Sequence, residues 1–224
     1  MRALQALAEL LFPTHCAGCE LPGAVLCDGC IDSLPRIDPA GECQRCGAPY
    51  GWLTCTECWQ REWSFEAAVA LGEFEAPLSR AIVLHKDAGE RRLAPVLGHL
   101  LAEQVALRWP DWAQNVAFVP ATREARARRG FDHGFAIAEV VATDLHVPLT
   151  EVLVRSAALD QRVLGRDARA ANAAGTFSAT AAVRGRVLLV DDVLTTGATL
   201  DAAAGVLLDA GADAVRVAAV ARVW

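Results

Sequence analysis

Positive charge, lysine above all, and long apolar runs are scarce in this chain. Lys86 is the single lysine among 224 residues, and 27 acidic residues against 21 basic ones leave a formal net charge of −6. Such a chain is not drawn as a whole to nucleic acid, so any binding of that kind must use a local patch. No uncharged apolar run reaches the length of about 18 residues that a membrane-spanning helix needs. The opening MRALQALAELLF is interrupted by Gln5 and Glu9 and has no clear cleavage site. It reads as a short amphipathic helix rather than an export signal, and a cytoplasmic location is expected. The ATP-binding pattern G-x-x-x-x-G-K-[ST] is also missing, which excludes a P-loop.

Cysteine is absent after Cys58, yet eight cysteines fall between Cys16 and Cys58. That asymmetry, with its Pro and Gly punctuation, marks off a first module over 1–62 from a larger one over 63–224. The cysteines form four C-x-x-C pairs: Cys16 and Cys19, Cys27 and Cys30, Cys43 and Cys46, Cys55 and Cys58. Each pair can present two thiolates to one tetrahedral zinc ion, so four pairs supply two closed, structural sites. A module of about 45 residues buries too little core to stand alone, whereas structural zinc is worth about 10–16 kcal/mol. Disulfides would need an oxidising compartment, and no export signal supports one. A thioredoxin-like redox site needs one such pair beside a strand–helix unit, not four in a row. Zinc is therefore expected, as one or two ions. Neighbouring pairs are favoured as ligand sets, with alternate pairs or one unfilled site left open. Metal removal is expected to unfold 16–58 and spare the rest. Tyr50, Trp52, Trp59 and Trp63 gather near the module's end; they suit packing into its core and seam, with stacking on unpaired bases as the alternative.

Beyond residue 62 apolar strands alternate with helices. NVAFVP (115–120), RVLLV (186–190) and AVRVAAVARV (214–223) read as buried strands. REARARRGFDHGFAIAEVVATDL and TTGATLDAAAGVLLDAGA read as helical. The alternation implies an α/β fold with a parallel sheet and helices on both faces. The densest chemistry lies in RVLLVDDVLTTGATL (186–200). The strand is expected to end at Asp191 and Asp192, and the loop Thr195, Thr196, Gly197, Ala198, Thr199 to open a helix. Free N–H groups and the positive end of a helix dipole favour a phosphate there. The hydroxyls add donors, and Gly197 permits close backbone approach. Two acids cannot hold a phosphate; they suit neutral ribose hydroxyls, or magnesium reached through water. Simple capping by Asp and Thr is the plain alternative, but the full order of strand, acid pair and T-T-G-x-T is more specific than that. Upstream, Arg123, Arg126, Arg128 and Arg129 face only Glu124 in charge. Arg126 and Arg129 would share a helix face, ready for pyrophosphate or a single-stranded DNA backbone, or simply for solvent.

The 186–200 order closely resembles the phosphoribosyl pyrophosphate (PRPP) motif of type I phosphoribosyltransferases. The resemblance implies that Asp191 and Asp192 hold the ribose hydroxyls, that Thr195, Thr196, Gly197, Ala198 and Thr199 cradle the 5′-phosphate, and that Mg2+ accompanies PRPP. VPATREARARRGFDHGFAIAEVVA (119–142), LDQRVLGRDARAANAAGTF (159–177) and PLSRAIVLHKDAGERRLAPVLG (77–98) resemble segments of the competence protein ComF family. In the second segment Gln161, Leu164, Arg169, Asn172 and Phe177 match the family pattern. With the cysteine module, the likeness runs in order along nearly the whole chain. It implies a type I phosphoribosyltransferase-like parallel sheet flanked by helices, behind a zinc-binding module, and a role in DNA uptake during natural transformation. Implied partners are PRPP or another ribose 5-phosphate ligand, single-stranded DNA, and a DNA-uptake helicase or recombination proteins. Lys86, Arg123, Arg126, Arg129 and Arg169 are the candidate contacts to pyrophosphate or DNA. Arg162, Arg166 and Arg169 fall in a segment implied to form a lid, and the zinc module is implied to take the place of the hood over an acceptor. The chain departs from the pattern at Ala121 and Thr122, at Asp132 and His133, and at Asp87. A working phosphoribosyltransferase with an unspecified acceptor is the second function class.

Overall fold

The computed structural model describes residues 13–155 and 176–224. The expected amino-terminal helix, and Gln161, Arg162, Leu164, Arg166, Arg169 and Asn172, lie outside the described residues. Two short helices, α1 (Asp28–Asp32) and α2 (Thr56–Trp59), accompany the cysteines. There follow β1 (Ala68–Glu73), α3 (Leu78–Lys86), α4 (Leu93–Arg108), β2 (Asn115–Phe118), α5 (Arg123–Arg129) and α6 (His133–Asp144). The chain continues through β3 (Leu153–Arg155), β4 (Phe177–Ala179), β5 (Arg186–Leu194), α7 (Ala198–Asp209) and β6 (Ala214–Arg222). Among the described residues, no helix is long and apolar enough to cross a membrane.

Four strands form a parallel sheet in the order β1-β6-β5-β2, while β3 and β4 make a separate antiparallel pair. The two central strands are buried on both faces, which is why they read as near-continuous apolar runs. Successive side chains point to opposite faces. Leu188, Val190, Ala218 and Val220 thus join Leu97, Leu101, Ile137 and Val141 of α4 and α6 in one core. Val187, Leu189, Val217 and Ala219 join Leu200, Ala203, Ala204 and Leu207 of α7 in the other. The cysteine-bearing segment docks on this body. Cys16, Leu26, Cys30 and Leu34 belong to the first core, and Glu73 N–H donates to Pro35 O at 2.8 Å, covering the end of β1.

Three local features differ from the sequence expectation. First, β5 does not end at the acids but runs on to Leu194, because β6 pairs with it as far as Leu194 opposite Arg222. Its other neighbour, β2, stops at Phe118 opposite Val190. Second, 123–145 is not one helix. Gly130 ends α5 in the left-handed region at φ 72°, and Asp132 starts α6 by accepting from the N–H groups of Gly134 and Phe135. Third, β1, β3 and β4 were not among the strands expected from the pattern.

Candidate functional site

Where β2 stops and β5 continues, a crevice opens at the carboxyl ends of the parallel strands, the usual place for a ligand in such sheets. The cavity there is about 350 Å³, walled by Val119 to Thr122 after β2, by Asp191, Asp192, Thr195 and Thr199, and by Lys86, Arg129, His133 and Arg155. Four of the expected residues thus meet two of the expected cations. Thr196, Gly197 and Ala198 continue the loop but do not line the cavity. Arg123 and Arg126 are exposed on α5 and do not line it either. No residue of 13–62 lines it, although Thr56 and Glu57 meet Thr195 and Thr196 in a neighbouring depression.

The acids are buried within β5. Burial, then the neighbouring Asp192 charge, pushes Asp191 well above the usual carboxylate range. Burial also works against ionised Asp192, but Lys86 and His133 outweigh it and hold that carboxyl below the usual range. Lys86 Nζ lies 2.5 Å from Asp192 Oδ2, and His133 Nε2 lies 3.4 Å from the same oxygen. Burial leads in keeping His133 below its ordinary value. The pair therefore carries one firm negative charge and one carboxyl inclined to keep its proton. Opposite stand cations with spare capacity. Arg129 pairs with Asp87 at 2.8 Å, and its Nε, like that of Arg155, is buried without a hydrogen-bond partner among the described residues. Asp87, a departure from the family pattern, thus serves as an anchor for Arg129.

The loop is held from outside. Gly197 sits at φ 76° as the residue before α7, and no side chain caps that helix, leaving its first N–H groups for a ligand. Buried Arg222 donates to the carbonyls of Leu194 and Thr195. Arg61 donates to Thr196 O at 3.2 Å. Sequence reasoning had not singled out Arg61, Arg155 or Arg222, and had met His133 only as a departure. Arg155 had a signal, a lone cation closing the apolar run VLV; Arg222, inside a strand pattern, had none.

The sulfurs of Cys16, Cys19, Cys27 and Cys30 lie within 4.8 Å of one another, as do those of Cys43, Cys46, Cys55 and Cys58. Neighbouring pairs, not alternate ones, come together. Backbone N–H groups of Gly18 and Cys27 donate to Cys16 Sγ at 3.4 and 3.3 Å, and that of Cys55 donates to Cys43 Sγ at 3.3 Å. Burial pushes the Cys16 thiol up, but the backbone N–H groups of Cys19, Cys27 and Gly18 outweigh it and bring it to about 6. A hydrogen bond from the Cys46 thiol, then, against burial, the backbone N–H groups of Cys55, Cys46 and Arg45, hold Cys43 at about 4. The thiolate is the metal-binding form, and four sulfurs at this spacing fit a tetrahedral zinc ion. Of the four aromatics, only Trp63 packs at the seam, stacked on Phe65. Tyr50, Trp52 and Trp59 are exposed by 72%, 76% and 80%, against the packing expectation.

The phosphoribosyl transferase domain model matches residues 132–223, which contain the acid pair and the loop. A solved structure, the glutamine PRPP amidotransferase from B. subtilis complexed with ADP and GMP, is similar over 56% of this chain and 25% of that one, at 25% identity and a TM-score of 0.41. Competence protein F of Haemophilus influenzae is 27% identical over 93% of this chain and 95% of its own. The DNA utilization protein YhgH of Escherichia coli (strain K12) is 30% identical over 93% of this chain and 96% of its own. Aligned over nearly its full length at 30% identity, the chain belongs to the family of DNA utilization protein YhgH and competence protein F, ComF.

Proposed function

We propose that the chain acts in the uptake or use of DNA, in keeping with relatives named for DNA utilization and for competence, and that it holds PRPP or another ribose 5-phosphate ligand. One observation carries the ligand: two buried carboxylates, a hydroxyl-bearing loop at an uncapped helix start, and the cations Lys86, Arg129 and Arg155 share one cavity. In this reading Asp191 and Asp192 take the ribose hydroxyls, with Asp191 able to donate as well as accept. Thr195 to Thr199 and the first turn of α7 take the 5′-phosphate. Arg129 and Arg155 meet the pyrophosphate, with Mg2+ accompanying it. Single-stranded DNA is the proposed partner of the exposed surface. Arg123, Arg126 and Arg128 supply charge for phosphates, and Tyr50, Trp52 and Trp59 supply faces for bases. The division of labour follows two modules, 1–62 bearing zinc and 63–224 bearing the ligand site.

The test is a thermal-shift titration with PRPP and magnesium. The wild-type chain should melt higher with ligand. The variant carrying Asp191→Asn and Asp192→Asn should keep its circular dichroism spectrum and lose the shift. A shift of equal size in that variant overturns the ribose assignment.

A further inference from the structure

The second four-cysteine site and the phosphate loop meet at one side chain. The Trp63 indole N–H donates to Cys58 Sγ at 3.2 Å. The far edge of the same ring fills the space beside Gly197: a Cβ built there would lie 2.5 Å from Cζ3 and 2.6 Å from Cη2. Arg61 spans the same gap, its guanidinium 3.7 Å from the Trp63 ring centroid, with one N–H group on Thr196 O. Asp201, in the first turn of α7, accepts from Ser64 N–H at 2.6 Å. Residues 58–64 are thus tied to 196–201 by a chain of direct contacts that begins on a cysteine sulfur and ends on the loop backbone.

Sharing an ion fixes the positions of four sulfurs. The Trp63 N–H donor on Cys58 Sγ ties the indole to that fixed sulfur position. The ring edge then sits at a set height under a backbone that only glycine can supply there. We infer that Trp63 is a positioning residue through which metal occupancy of the Cys43, Cys46, Cys55 and Cys58 site sets the shape of the Thr195–Thr199 loop. The site acts as an allosteric partner of anion binding, not only as a fastener. The inference rests on the ribose 5-phosphate reading of the cavity. Linkage makes it reciprocal: ligand on the loop must retain metal on the cysteines by the same factor.

Zinc-loaded full-length protein is titrated to equilibrium with a zinc-chelating dye that competes for the metal, with and without saturating PRPP and magnesium. Calorimetry on the same samples records whether PRPP binds. Two release phases are expected, one per site. PRPP should lower the affinity-limited release of one phase at least about fivefold, the low end of ordinary allosteric coupling, and leave the other alone. Trp63→Phe keeps a ring beside Gly197 but loses the N–H donor; the effect should fall below about twofold, with two phases and the circular dichroism spectrum retained. Binding heat with unchanged release in the wild-type chain overturns the inference and leaves the ligand reading intact. Full coupling in Trp63→Phe overturns the role given to Trp63. No binding heat overturns the ligand reading, and this inference with it. The wild-type comparison decides the coupling even if the variant folds poorly.

Discussion

Asp192 sits in β5 with its side chain only 5% exposed and Lys86, a third exposed, beside it. A carboxyl held below its ordinary value by the fold contributes stability that is present above its unfolded-state value and lost as pH falls through the folded one. Asp191 has the opposite sign: raised by burial, it costs stability as pH rises from the ordinary carboxylate range toward its folded-state value. Lys86→Met leaves Asp192 buried without its main partner. Urea unfolding at pH 7 should register a loss of about 2 kcal/mol, below the ~3–5 kcal/mol for a fully buried pair because Lys86 reaches solvent. The loss should shrink as pH falls from about 4, where Asp192 takes a proton in the unfolded chain, through its lower folded-state value. A loss independent of pH would assign Lys86 to packing instead. The acid pair and the T-T-G loop were legible in the sequence because each residue type there commits to one chemistry. His133 and Arg155 were not, since what brings them to the cavity is the turn of α6 and the short strand β3, which no spacing reveals. Arg126 and Arg129 illustrate the same limit. They share a face on paper, yet of the two only Arg129 lines the cavity, with Ala125 one turn before it, and Arg126 is left in solvent.

At the scale of elements, the break between α5 and α6 gives the cavity its wall. Asp132 caps α6 and, with its other oxygen, accepts from Ala121 N–H at 2.9 Å, pulling the segment after β2 against the start of that helix. Asp132→Ala should cost about 2 kcal/mol, the upper end for a lost cap, because it frees a third N–H group as well. Asp132→Asn should recover most of it. Denaturant midpoints of the two variants check this, and equal losses would argue that charge, not capping, is what matters. The signals for the break were present as a glycine and an aspartate two residues apart, but the run of Ala and Arg on one side and apolar periodicity on the other outweighed them. The overshoot of β5 past β2 was invisible for a different reason. How far a strand continues depends on its neighbour, and β6 carries β5 onward through residues whose own propensity argues for a loop. Central strands and α7 were legible from their apolar runs; the edge strand β1 was not, being defined by its contacts with β6 and with Pro35.

Over the whole molecule, the two cysteine sites are not equivalent. Cys16 and Cys30 share a core with Val69, Leu71 and Leu78, whereas Cys43, Cys46, Cys55 and Cys58 cluster, among the described hydrophobic residues, with Ala48 and Trp63. Metal loss therefore should not simply unfold 16–58 and spare the rest. Cys30→Ser should lower the main melting transition of the full chain by about 10 °C or more, since each 1 kcal/mol is worth ~2–4 °C at this size. Cys46→Ser should leave that transition within a few degrees. Calorimetry distinguishes the two, and equal shifts would mean that both sites feed one core. The organisation into a cysteine-rich part and a parallel α/β part was legible from cysteine placement and strand–helix alternation; the sharing of a core was not, because Leu26 and Leu34 carry no pattern that names their partners. The strand order has one more consequence, for a chain emerging from the ribosome. β6 lies between β1 and β5, so β1 is made well over a hundred residues before its partner in the sheet exists, and β2 waits for β5. Unpaired apolar strands invite wrong partners during such a wait. The cysteine segment is synthesised first, and the contact of Pro35 with Glu73 leaves it placed to shield the end of β1 until the centre of the sheet arrives.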